Sequence, residues 1–200
     1  MARNPHKNPN PQGKGLVAVL ADWQDTRPRG LREKAPSVLL RDWFTSALVL
    51  SASFRFRPAV GQAYYLYSRR GEWRLSLIGP EEWGGRDAGA CLGRCELRPD
   101  MTWHLDAADD LDRQPELRAE LEALIESFTE QLGEEGRLAD QLPGYRRDLP
   151  YHQRMLATAL GASLRDSAGR ADWLEAPART LLSAAGSGGG LSRLIDASAD

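Results

Sequence analysis

Between residues 63 and 78 the chain takes on a period of two. Ala63-Tyr64-Tyr65-Leu66-Tyr67 and Trp73-Arg74-Leu75-Ser76-Leu77-Ile78 are rich in aromatic residues and flank the short connection Arg69-Arg70-Gly71-Glu72. Aromatic enrichment around a glycine-containing turn predicts an antiparallel hairpin. Alternation places Trp73, Leu75 and Leu77 on one face and Arg74 and Ser76 on the other, so one side is buried and one is wetter. Gly79-Pro80 stops the second strand, and Glu81-Glu82-Trp83-Gly84 reads as a short turn. Residues 91–97 and 101–105, on either side of Pro99-Asp100, predict a second hairpin. The expected sheet is a meander of about four antiparallel strands.

The flanking segments keep a helical period. Val38, Leu39, Trp43, Ala47, Leu50 and Phe54 form one apolar stripe, which predicts a helix over 37–54. Its last part competes with a strand, because Leu50, Ala52, Phe54 and Phe56 alternate with Ser51, Ser53, Arg55 and Arg57; the helix is preferred. Beyond Asp106, Leu117, Leu121, Leu124, Ile125, Phe128 and Leu132 recur at three- and four-residue steps, the strongest helical signal in the chain. Met155, Leu156, Ala159, Leu160 and Leu164 predict another helix after Asp148 and Pro150, and Pro177 opens a short third one. The fold class is therefore α+β: a small antiparallel β-meander packed on an N-terminal helix, then a helical C-terminal region. Residues 1–15, with repeated Asn-Pro pairs, read as a disordered arm. The expected core domain covers 16–135, C-terminal helices 136–185, and a glycine-rich linker and tail 186–200.

Two hundred residues with 42% hydrophobic and 27% charged composition exclude collagen-like and wholly disordered classes. Cys91 and Cys95 are too few for a disulfide framework, and four strand residues would separate them by about 13 Å, beyond bonding range. Two reduced cysteines and no signal-peptide pattern predict a cytoplasmic protein. No apolar run is long enough to span a membrane. The formal net charge of −2 hides a division: residues 1–105 hold 16 basic and 10 acidic side chains, residues 106–200 hold 10 and 18. Attraction between the halves, with the acidic helices masking a basic sheet, is the corresponding expectation.

Chemistry is sparse. His6, His104 and His152 are scattered and there is no second cysteine pair, so no metal site is expected. There is no Gly-x-Ser-x-Gly and no glycine-rich strand-to-helix loop, and no cofactor is predicted. His104 could approach Cys95 across the second hairpin, but ordinary reduced cysteines are the preferred reading.

The strings Gly61-Gln62-Ala63-Tyr64-Tyr65-Leu66-Tyr67, Ser76-Leu77-Ile78-Gly79-Pro80-Glu81-Glu82-Trp83-Gly84, Leu92-Gly93-Arg94-Cys95-Glu96-Leu97 and Asp100-Met101-Thr102-Trp103 resemble the family catalogued as domain of unknown function 2452. The resemblance spans about residues 58–106. It implies the fold of this segment and assigns no catalytic residue or activity.

The motif residues are types that build surfaces and turns. A non-enzymatic binding or scaffolding module for a protein or small-molecule partner is the leading expectation, with Tyr64, Tyr65, Tyr67, Trp83 and Trp103 as contact residues. An enzyme with a small-molecule pocket around Glu82, Arg94 and His104 is the first alternative. Nucleic-acid binding through Arg69, Arg70 and Arg74 is the second and is not favoured, since aromatic core with an arginine edge explains the same pattern.

Overall fold

The computed structural model describes residues 20–186. The expected arm over 1–15 and the tail over 187–200 lie outside the described residues. Helix α1 (Pro36–Ser51) starts with proline at its first position, where no backbone donor is needed. It buries Leu39, Leu40, Trp43, Phe44, Leu48 and Val49. It ends before Phe54, and the strand reading is realised in one residue: the Ser53 N–H donates to Trp73 O at 2.8 Å and its carbonyl accepts from Leu75 N at 3.1 Å. Past the helix, Ser53 covers the open edge of the first hairpin.

That hairpin comprises β1 (Ala63–Arg69) and β2 (Glu72–Ser76), and the second comprises β3 (Ala90–Leu97) and β4 (Trp103–Ala107). The two-residue turn has positive φ at both centres, Arg70 at 55° and Gly71 at 79°, the conformation that matches strand twist. The sheet is antiparallel throughout, in the order β2-β1-β3-β4. It departs from a strict meander, because β3 pairs with β1 and not with β2. Since β2 and β3 both run against β1, residues 77–89 must return from one end of the sheet to the other. The turn Pro80–Trp83 lies in this crossover. Leu77, expected beside Leu75, lies past the end of β2 and is 51% exposed.

One sheet face meets α1 through Tyr64, Leu66, Leu75, Cys95, Leu97, Trp103 and Leu105. A register shift between Leu66 and Tyr67 puts Leu92 on the same inner face despite its opposite parity. At Gly93 the strands run so close that a side chain would meet Asp106 O at 2.1 Å. Helix α2 (Pro115–Gly133) buries Leu117, Leu121 and Leu132 and sets the Phe128 ring 5.3 Å from Trp43 and 5.4 Å from Phe44. The single turn α3 (Leu138–Gln141) leads to α4 (Tyr151–Arg170), which packs on α1, and α5 (Ala178–Ala184) packs on α1 and α2. Gln153 of α4 donates its side-chain amide to the carbonyls of Leu50 (3.3 Å) and Ala52 (2.7 Å), satisfying the end of α1.

The halves meet through this apolar core. Arg69 pairs with Asp87, Arg74 lies over Trp83, and no acidic side chain of the described residues beyond 105 pairs with Arg69, Arg70 or Arg74. The expected masking of the basic sheet is corrected accordingly: Glu116, Glu122, Glu126 and Glu130 of α2 are exposed, and the one acid of this helix that reaches the sheet, Glu120, accepts from the Ser68 hydroxyl of β1 and from none of these arginines. Among the described residues, no helix is long and apolar enough to cross a membrane.

Candidate functional site

The five aromatic residues singled out by sequence divide between the two sheet faces. Tyr64 and Trp103 are core residues, 2% and 1% exposed, with ring centroids 5.6 Å apart. Tyr64 also accepts the Ala59 N–H at 2.7 Å, and Trp103 N–H donates to Ser46 Oγ at 2.8 Å. Strand parity turns both toward α1, which removes them from any contact surface.

Tyr65, Tyr67 and Trp83 belong to the other face, beneath the crossover. Tyr67 is nonetheless 2% exposed. Its hydroxyl donates to Ile78 O at 2.9 Å and accepts from Trp83 Nε1 at 3.0 Å. Burial raises its pKa, against the hydrogen bond from Trp83. The Arg74 guanidinium lies 5.8 Å from the Trp83 ring centre. Gly79 packs against the Tyr65 ring, and Glu82 Oε1 accepts the Gly79 N–H at 3.0 Å. Most of the motif thus goes into fastening the crossover to the sheet, with half-buried Tyr65 and Trp83 at its margin.

The residues of the enzyme alternative are partly brought together. His104 Nε2 lies 2.8 Å from Asp106 Oδ1, and Arg94 reaches the other oxygen of that carboxylate at 3.4 Å and Glu96 at 3.4 Å. Glu82 is engaged with Gly79 instead. Cys95 points to the core and is turned away from His104, which lies on the opposite face. Burial raises the pKa of Cys95 and, less completely buried, of Cys91. Both thiols are free, and no group of three or more acidic, histidine or cysteine ligands is assembled among the described residues.

A cavity of about 500 Å³ lies elsewhere, where residues 25–29 and 57–60 meet the β3–β4 turn. Buried Leu97, Met101 and Leu156, with Pro58, form its floor; Ala59, Val60 and Pro99 extend the apolar lining to the rim. Asp25, Thr26, Arg29 and Arg57 supply its polar groups. Backbone bonds fix these walls. Arg29 N–H donates to Pro99 O at 2.9 Å, and Gly61 N–H donates to Leu97 O at 3.0 Å. The preceding helical residues 20–25 are tied down by Arg57, which binds Asp22 and Asp25 at 2.8 Å each, while Tyr151 Oη donates to Asp22 at 3.1 Å.

Sequence reasoning found none of this site. Its residues come from four separated segments, and only the breakers Gly30, Gly61 and Pro99 around it and Pro58 in its floor mark the place in the sequence. No curated protein and no solved structure matches the chain. The profile of the family described as "Protein of unknown function (DUF2452)" matches residues 24–127, a span holding α1, the whole sheet, the crossover and every cavity residue except Leu156, and the chain belongs to that family.

Proposed function

We propose that the protein is a non-enzymatic binding module of a reducing compartment such as the cytoplasm, and that its contact site is the cavity between residues 25–29, 57–60 and the β3–β4 turn. The supporting observation is the cavity's construction. An apolar floor carries a few polar groups on walls held by backbone hydrogen bonds, in a volume of about 500 Å³ that falls within the range of small-ligand sites. Val60 stays 45% exposed at its rim although its backbone is bridged to Leu97. Unpaired Cys91 and Cys95 favour the reducing compartment.

Met101 lines the cavity, and its methyl group is a local reporter. Carbon-labelled methionine spectra recorded with a mixed set of anionic, cationic and neutral fragments should show shifts at Met101. Val60→Trp, which fills the cavity while leaving the core untouched, should abolish them. No response of Met101 to any fragment, or an equal response in the filled variant, defeats the reading.

A further inference from the structure

Resting on that reading, we infer that the cavity's ligand is an organic carboxylate with a short apolar body, its head bound by Arg29 and its body lying on Met101, Leu97 and Leu156. The two cavity arginines differ in what already occupies them. Arg57 holds two carboxylates at 2.8 Å, Asp22 and Asp25. Arg29 lines the same cavity and forms no ion pair among the described residues, while its backbone is pinned to Pro99. Its backbone is anchored at the cavity wall, and among the described residues its guanidinium has no carboxylate partner.

A guanidinium presents a planar fork of donors that fits a carboxylate in two-point contact, and it does so better where water is partly excluded. A cation is disfavoured here, because the lining sets two arginines, Arg29 and Arg57, against Asp25 as its one acid. The Arg57–Asp25 pair is solvent-exposed, 41% and 62% by side chain, and such pairs contribute little. An entering carboxylate can therefore also draw Arg57 away from Asp25 at small loss. The apolar floor then sets the rest of the ligand, since each methylene it takes out of water adds to binding.

Octanoate, octylammonium and 1-octanol share one chain and differ in head charge. Titrated into the full chain with Met101 observed, octanoate should bind at least tenfold more tightly than either of the others. Arg29→Gln, at an exposed position, should remove that tenfold preference while 1-octanol is bound as before. Its fold is checked by the unchanged dispersion of the remaining methionine signals. Equal binding of the three probes overturns the carboxylate assignment, and a preference that survives Arg29→Gln overturns the placing of the head on Arg29; either leaves the cavity reading standing. If no probe binds while the fragment set still moves Met101, the assignment falls alone; if neither acts, both fall.

Discussion

The ammonium of Lys34 lies 2.6 Å from Asp42 Oδ2, with side chains 5% and 3% exposed. Asp100 closes the other side at 2.7 Å, and Arg98 reaches the second Asp42 oxygen at 3.5 Å. The cluster ties the segment before α1, the first turns of α1 and the β3–β4 turn into one unit. Removing Lys34 leaves the buried Asp42 only its longer contact to Arg98, and the loss of one member of a buried pair costs ~3–5 kcal/mol. Lys34→Met should therefore lower unfolding stability by about that amount in urea titrations, with the slope unchanged. A loss below ~1 kcal/mol would mean that Asp42 finds water or a new partner.

The same cluster gives stability an acid limit. Burial pushes the Asp100 carboxyl up, but hydrogen bonds from Lys34 and Thr102 outweigh it and hold the pKa below the ordinary carboxylate value. A depressed folded pKa stabilises the native state above the unfolded value of ~3.9, and that stabilisation is lost as pH falls through the folded value. Its contribution should be complete at pH 6 and decline only below ~4. In Asp100→Asn the difference in stability from the parent should accordingly shrink as pH drops from ~4 toward 2. A difference constant across that window would assign the effect to packing.

The hairpin turn offers the opposite kind of change. Arg70 has φ 55°, a left-handed conformation that most side chains adopt at a loss of ~1–2 kcal/mol and asparagine tolerates better. Its guanidinium makes no ion pair among the described residues. Arg70→Asn, which produces the favoured Asn-Gly turn, should raise stability by ~0.5–1 kcal/mol, a Tm increase of ~1–4 °C for a chain of this size. Unchanged or lower Tm would show that the arginine's position in the turn is not strained.

Elements were legible where a short window carries the signal. The aromatic alternation of 63–78 and the leucine steps of 117–132 each contain their own period, and strands and helix stand where they point. Strand order was not legible, because whether β3 pairs with β1 or β2 depends on how residues 77–89 return. Nor was the burial of Tyr67: alternation assigns it to the wetter face, and its hydroxyl is taken up by Trp83 and Ile78, which fold over from the crossover. The cavity depends on Arg29 meeting Pro99 and Val60 meeting Leu97, contacts between segments far apart in sequence. Lys34 and Asp42 are eight residues apart, yet an isolated lysine and aspartate carry no mark of burial.

The cysteines test the two-faced sheet directly. Cys91 pairs with Tyr67 on the outer side and is half-buried, whereas Cys95 pairs with Tyr64 on the inner side and is fully enclosed. Burial raises both thiol pKa values, so thiolate is scarce at neutral pH and alkylation of either should be slower than for a free thiol. Raising pH from 7 to 9 should accelerate modification of Cys91 by iodoacetamide. Cys95 needs the inner face to open, and its labelling should track global unfolding in urea. Peptide mass spectrometry separates the sites, since Arg94 lies between them and trypsin cleaves there. Equal labelling of the two in native protein would contradict the assignment of Cys95 to the inner face.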